Sequence, residues 1–232
     1  MVNKWLKFNQ LLFPQKCMLC ATMDGGALSI CQPCGDALPW HNTIPQCPQC
    51  ALPSIDSNVC GHCLTAPPAF DHIHALFRYE YPIDGMLQRY KYQHLLTMAA
   101  LFGEMMMTEL PRANLPDLII PMPLHPQRLK ERSFNQSLEI ARIIANRLDI
   151  RLAAQSCSRT RNTPPQASLP LKERAKNMKD AFACNENLSG LHIAVVDDVM
   201  TTGASLNALA KTLKKAGAAS VECWVVARTL PR

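Results

Sequence analysis

Eight of the eleven cysteines fall between residues 17 and 63, as four Cys-x-x-Cys pairs: Cys17/Cys20, Cys31/Cys34, Cys47/Cys50 and Cys60/Cys63. A chain with this pattern is expected to fold that stretch around metal. One knuckle presents two thiolates, and two knuckles complete a tetrahedral zinc site. Ten residues separate the first two pairs and nine the last two, room for a small hairpin. The spacing predicts two consecutive structural Zn2+ sites. Cys17, Cys20, Cys31 and Cys34 hold the first; Cys47, Cys50, Cys60 and Cys63 hold the second. A cross-braced order needs longer reaches and ranks behind it. His41 and His62 are spare donors that complete tetrathiolate sets do not need. A disulfide framework requires an oxidising compartment, and four regular knuckles favour zinc over an iron–sulfur cluster. A module this small has little core of its own and folds with its metal. Cys157, Cys184 and Cys223 are scattered among apolar or small residues and read as buried rather than reactive.

The second constraint is Ile193-Ala194-Val195-Val196-Asp197-Asp198-Val199-Met200-Thr201-Thr202-Gly203-Ala204-Ser205. An apolar, β-branched run reads as a buried strand, Thr-Thr-Gly as a turn, and Leu206 to Leu213 as a helix. Backbone N–H groups at such a turn and at the helix start make a phosphate site. Two adjacent carboxylates repel unless something uses them, and beside a phosphate site they suit the hydroxyls of a sugar. An ordinary Asx turn explains one Asp and the Gly, not the second Asp.

Around these two features the rest of the chain reads as follows. Residues 64–70 read as a linker between a module at 1–66 and a domain at 67–232. Trp5, Phe8, Leu12 and Phe13 read as a short docking helix, since the N-terminal apolar run is too short for an export signal. No run approaches a membrane span, so the expectation is a cytoplasmic protein. Residues 73–81 read as a strand or hairpin, and Asp84 caps a long helix from about Gly85 to Leu110 with a Met-rich apolar stripe. Residues 117–121 read as a buried strand, 135–148 as a helix, the neighbourhood of Leu152 as a short strand, and 221–227 as the last strand. Strands alternating with helices predict α/β architecture with a parallel sheet, whose ligands bind beyond the carboxyl ends of the strands.

Charge is uneven. Residues 1–70 hold three Lys and three Asp, whereas residues 125–179 hold twelve Lys/Arg against four Asp/Glu, a net of +8. The neutral module alone is a poor candidate for strong nucleic-acid binding. The basic stretch should face an anion: pyrophosphate, nucleotide or nucleic acid. Arg142, Arg147 and Arg151 fit a solvated helix face equally well. Phe77-Arg78-Tyr79-Glu80-Tyr81 and Arg89-Tyr90-Lys91-Tyr92 set aromatics among cations, a pattern that can stack bases but more often marks half-buried residues.

The 193–205 stretch resembles the phosphoribosyl diphosphate (PRPP) motif of type I phosphoribosyltransferases. The resemblance implies that Asp197 and Asp198 hold ribose hydroxyls and that Thr201, Thr202, Gly203, Ala204 and Ser205 wrap the 5′-phosphate. It implies a pyrophosphate-binding loop at Pro121-Met122-Pro123-Leu124 through Arg128 and Arg132, with Pro123, Leu124 and Arg128 on the ligand. It also implies Mg2+ arriving with PRPP, and catalytic roles for Asp197, Asp198 and Arg128. A closing loop over 159–178 would contribute Arg161, Thr163, Gln166, Arg174 and Asn177, excluding water around the departing pyrophosphate.

Together with the knuckles, these stretches are similar to the ComF/GntX family, which joins an N-terminal double zinc ribbon to a phosphoribosyltransferase-like domain. One departure is Ser133, where that family usually has Gly before Phe-Asn-Gln; a required positive φ would strain Ser there. The resemblance implies competence or DNA uptake, in the cytoplasm, with single-stranded DNA as a partner and Arg132, Arg159, Lys172 and Lys176 as nucleic-acid candidates. An active transferase of unstated acceptor is the alternative. A PRPP-gated adaptor for a helicase or uptake component is a further one.

Overall fold

A computed structural model of the chain describes residues 15–93, 95–161 and 180–231. The expected helix at Trp5 to Phe13 lies outside those residues. So do Thr163, Gln166, Arg174, Asn177, Lys172 and Lys176.

Five parallel strands form the main sheet: β1 (His72–Arg78), β2 (Leu118–Pro121), β3 (Arg151–Leu152), β6 (His192–Met200) and β7 (Ser220–Arg228), in the order β1-β7-β6-β2-β3. Two further strands, β4 (Cys157–Arg159) and β5 (Phe182–Cys184), pair antiparallel as a separate ribbon. Alternation along β6 explains the layering. Ala194 and Val196 enter one core with Trp224 and Val226, while Ile193 and Val195 enter the other with Cys223 and Val225. A strand segment buried on both faces must be apolar, and β6 is apolar from Ile193 to Val196.

Helix α3 (Ile83–Tyr92), α4 (Thr97–Glu109) and α6 (Gln136–Leu148) cover the first face; α7 (Ala204–Lys215) covers the second. Helix α6 matches its sequence reading. The Asn135 carboxamide oxygen accepts from the N–H of Ser137 (3.0 Å) and of Leu138 (3.4 Å), capping the start. Ile140, Ala141, Ile144 and Ala145 are buried along one stripe. Between β2 and α6 lies α5 (Pro126–Arg132).

The helix expected over 85–110 is two helices, and Asp84 does not cap it. Asp84 lies inside the first turn of α3, where its carboxylate accepts from the N–H of Gly85 at 2.7 Å. Helix α3 stops at Tyr92, and α4 restarts at Thr97. The break lets two demands be met at once. Helix α3 brings Lys91 to the sheet's carboxyl edge, while α4 packs closely on α6 at Gly103, where a Cβ would lie 2.8 Å from the Ile143 side chain. The methionine stripe is core: Met98, Met105 and Met106 are buried.

The cysteine-rich segment carries two short helices, α1 (Gln32–Asp36) and α2 (Gly61–Thr65), each starting just after a cysteine of the second pair of its set. Residues 64–70 are pinned rather than loose. Leu64 and Thr65 end α2, Phe70 is buried, and the N–H of Ala69 donates to the Asn207 carboxamide at 2.7 Å. Among the described residues no helix is long and apolar enough to cross a membrane.

Candidate functional site

The eight knuckle cysteines gather as the sequence order demands: Cys17, Cys20, Cys31 and Cys34 in one cluster, Cys47, Cys50, Cys60 and Cys63 in the other. Within each cluster all ligand atoms lie within 4.8 Å of one another, and the Cys20–Cys31 and Cys50–Cys60 sulfurs are 3.6 Å apart. Four sulfurs at the Zn–S bond length sit about 3.8 Å apart at tetrahedral corners. The sets fit zinc without rearrangement. Ala21 and Ala51 turn left-handed, with φ of 60° and 53°, and their N–H groups close the knuckles onto the carbonyls of Cys17 and Cys47 at 2.8 Å. Burial opposes ionisation of Cys17 and Cys47, yet backbone N–H groups directed at their sulfurs pull both thiols below the usual range. His41 stays out of the metal set; it is buried and its Nε2 bonds the carbonyl of Ala51 at 2.8 Å.

The second constellation lies at the carboxyl edge of the sheet. Strand β2 ends opposite Val196, so β6 continues past it and exposes its β2-facing edge at Asp197. The Asp197 carboxylate accepts from Ser137 Oγ at 3.0 Å and from the N–H of Asp198 at 2.9 Å. Asp198 pairs with Lys91 Nζ at 2.9 Å. Burial and the neighbouring Asp198 raise the Asp197 carboxyl from 3.8 to about 7, against the pull of the Asp198 N–H, Lys91 and Ser137. Burial disfavours charge on Lys91, but the Asp198 carboxylate outweighs it, so the ammonium is held above its ordinary range. The repulsion read between the two acids is therefore met partly from within the chain. No local pattern marks Lys91 or Ser137 as a site residue: Ser137 falls within the helix read over 135–148, and Lys91 among the aromatics at 89–92.

The turn after β6 follows its sequence reading. Gly203 adopts φ 79° at the start of α7, and a Cβ there would meet Met200 Cε at 2.5 Å. Thr201 and Thr202 precede it, Ala204 and Ser205 open the helix, and the N–H of Ala204 donates to Thr202 Oγ1 at 3.4 Å. The first turn of a helix has N–H groups without intrahelical partners, and this one starts where the carboxylates end.

The loop after β2 faces the same edge. Asn135 ties it down, donating its amide to the carbonyl of Met122 at 3.1 Å while capping α6. Pro123 is buried and Leu124 half-buried in this loop. Arg128 pairs with Glu131 at 2.9 Å, an exposed pair that a ligand can break at little cost. Ser133 has φ 62° and ψ −14°, the left-handed conformation that the Gly-for-Ser comparison anticipated. Arg132 donates to the Gln136 carboxamide at 3.2 Å and sits 5.9 Å from the Tyr92 ring. Arg159, on β4, lies over the Phe182 ring at 5.7 Å. Burial lowers the Arg159 guanidinium, Asp197 supports its charge, and Arg128 and Arg132 oppose it. These three arginines and Asp197 thus share one electrostatic neighbourhood. Arg161, exposed, stands at the last described position before residue 180.

Several sequence expectations change. Phe77 and Tyr90 are fully buried, and Tyr90 donates to the carbonyl of Gln136 at 2.9 Å, so neither can stack on a base. Their aromatic surface is worth more in the core than in water. Tyr81 and Tyr92 remain exposed. Arg142, Arg147 and Arg151 pair with Glu139, Glu104 and Glu186, which fits the solvated-face reading. Cys157 and Cys184 are not scattered in space: they stand directly opposite one another in the β4–β5 ladder.

Comparison with known proteins finds two domain families along the chain. The double zinc ribbon domain family matches residues 8–64, and the phosphoribosyl transferase domain family matches residues 135–230. The DNA utilization protein YhgH of Escherichia coli O6:H1 is 33% identical over 228 residues, 95% of this chain and 100% of that protein. Competence protein F of Haemophilus influenzae is 30% identical over 178 residues, 73% of this chain and 78% of that protein. A purine phosphoribosyltransferase from Pyrococcus horikoshii Ot3 aligns with 68% of this chain and 92% of its own at 16% identity, with a TM-score of 0.32, too loose a likeness to argue from.

Proposed function

The chain belongs to the ComF/GntX family, with the DNA utilization protein YhgH and competence protein F as relatives, and from that membership we propose that it acts in DNA utilisation by binding PRPP, or a related phosphoribosyl compound, at the carboxyl edge of its sheet. The observation that carries the reading is the convergence of three charge types on one edge. The Asp197–Asp198 pair takes ribose hydroxyls, the Thr201–Ser205 turn takes the 5′-phosphate, and Arg128, Arg132 and Arg159 take the pyrophosphate. Each group meets the part of the ligand whose charge or hydrogen bonding it complements.

Lys91 fits this scheme as a cation resident between α3 and the carboxylates. Its ammonium holds the Asp198 carboxylate in place at 2.9 Å before the ligand arrives. Asp197, with its carboxyl raised to about 7, is poised to accept or release a proton near neutral pH as a hydroxyl docks. Mg2+ would enter with the pyrophosphate, whose oxygens and the two carboxylates are the hard donors it prefers. The zinc ribbons are closed tetrathiolate sites, suited to structure rather than chemistry.

Single-stranded DNA is the second ligand of this reading, favoured by the clustering of Arg128, Arg132 and Arg159 beside the exposed Tyr92 ring. Calorimetry with PRPP and Mg2+, run with and without a single-stranded oligonucleotide, tests both. PRPP binding that is lost in the Asp197→Asn, Asp198→Asn double variant, together with salt-dependent oligonucleotide binding, is expected. Absence of PRPP binding in the unaltered protein would refute the phosphoribosyl assignment. Release of pyrophosphate in the presence of an acceptor would make the site a transferase.

A further inference from the structure

Arg228, the last residue of β7, was not anticipated from sequence. Its side chain is 4% exposed. Among the described residues, each hydrogen bond from its guanidinium goes to a backbone carbonyl. Nε donates to Cys50 at 2.9 Å, and one terminal nitrogen donates to Met200 at 3.2 Å, to Thr229 at 2.7 Å, and to Thr201. Cys50 is a ligand of the second tetrad. Met200 and Thr201 begin the turn assigned to the 5′-phosphate. One planar cation therefore joins a metal knuckle to a phosphate loop.

The charge balance points the same way. A buried guanidinium is costly unless paired. Among the described residues no carboxylate makes an ion pair with Arg228, and its nearest charged neighbourhood is the second tetrad, through the Cys50 carbonyl at 2.9 Å. Four thiolates around one Zn2+ carry two net negative charges. A metal-loaded tetrad would therefore place net negative charge beside the Arg228 guanidinium. The register reinforces the link. Met200 and Arg228 are partners in the β6–β7 ladder, and the N–H of Thr229 donates to the carbonyl of Met200 at 3.0 Å. On the knuckle side, His41 holds the next carbonyl, that of Ala51.

We propose that Arg228 is a positioning residue that couples metal occupancy of the second tetrad to the shape of the Met200–Ser205 turn, so that zinc in this ribbon sets affinity at the phosphate site. The affinity half of the proposal rests on the phosphoribosyl reading; the coupling half does not. Among the described residues no arginine bridges the first tetrad in this way, and its surrounding residues Met18, Leu19, Leu28 and Ile30 pack instead against the α3–α4–α6 core.

Hydrogen–deuterium exchange of the full-length protein, with zinc content measured in parallel, separates the alternatives. In a Cys60→Ser, Cys63→Ser variant, peptides covering 200–205 should exchange about tenfold faster or more, the change expected when a buried charged hydrogen bond is lost. A Cys20→Ser, Cys34→Ser variant should leave that peptide at the wild-type rate. Arg228→Lys keeps the charge but not the forked contacts, so it should retain two zincs yet loosen the same peptide and weaken PRPP binding about tenfold. Exchange of the β2 peptide covering 118–121 monitors global unfolding; if the second-tetrad variant unfolds, Arg228→Lys decides. Equal loosening in both tetrad variants with β2 intact, or no loosening in Arg228→Lys, overturns the coupling. If PRPP fails to bind the wild type while the turn still responds to zinc, the phosphoribosyl reading falls and the coupling stands.

Discussion

Replacing Asp197 by Asn should stabilise the protein, and more so at alkaline than at acidic pH. Burial and Asp198 raise the Asp197 carboxyl from 3.8 to about 7 in the folded chain. Between those values the folded chain keeps a proton that the unfolded chain has released. Stability therefore falls as pH rises from about 4 to about 7 and stays low above that window. Full burial of such a displaced group corresponds to roughly 4 kcal/mol. Asp197 keeps some solvent contact, so a cost on the order of 2 kcal/mol is the better figure. Asn removes the charge and retains an oxygen to accept from Ser137 Oγ and from the Asp198 N–H, contacts of 3.0 and 2.9 Å in the wild type. Urea unfolding of the zinc-loaded proteins at about pH 5 and about pH 8 reads the difference. The variant's advantage should be about 2 kcal/mol at the higher pH and roughly 40% of that at the lower. An advantage that is the same at both pH values, or larger at the acidic one, would show that Asp197 is not the buried, acid-raised group described here.

Other consequences follow from neighbouring residues. Lys91→Met strips Asp198 of its 2.9 Å partner and should cost about 3 kcal/mol in urea unfolding above neutral pH; a loss below about 0.5 kcal/mol would mean that solvent already screens the pair. Ser133→Gly relieves a left-handed serine at φ 62° and should raise stability by about 0.5–1 kcal/mol, with an unchanged or lower melting temperature as the contrary result. Gly203→Ala brings a Cβ to 2.5 Å from Met200 Cε at φ 79°. It should weaken PRPP binding at least about tenfold while costing about 1–2 kcal/mol of stability; wild-type affinity would remove Gly203 from the phosphate turn. Metal analysis should find two zincs per chain. A chelator should change tryptophan fluorescence, because Trp40 packs against Phe77 at a ring-centroid distance of 4.7 Å and donates to the carbonyl of Gly35, beside Cys34 of the first tetrad, at 2.9 Å.

Local pattern carried what local chemistry demands. Four Cys-x-x-Cys knuckles at short intervals admit few metal pairings, and the shortest loops chose the sequential one seen in the two clusters. An unbroken apolar run into Asp197-Asp198, followed by a glycine that must turn left-handed, can only be a buried strand meeting a helix. Asn135 before an i, i+4 apolar stripe marked the start of α6. The reading failed where helix propensity was continuous but packing was not. Nothing between Gly85 and Leu110 breaks a helix locally, yet the chain bends after Tyr92 to serve two neighbours.

Sequence by itself determined the inventory: two metal sets, an acidic strand end, a phosphate turn and a basic stretch. Tertiary structure decided who meets whom. Lys91 reaches Asp198, Ser137 reaches Asp197, Arg159 joins Arg128 and Arg132, and Arg228 spans from Cys50 to Thr201. These partners lie far apart along the chain, and any exposed helix or strand end can carry a Lys, Ser or Arg. Only the register of β6 against β2 and β7, and the end of α3 at Tyr92, bring these side chains together. Burial then makes each contact count, because a charge removed from water must find its partner inside the protein.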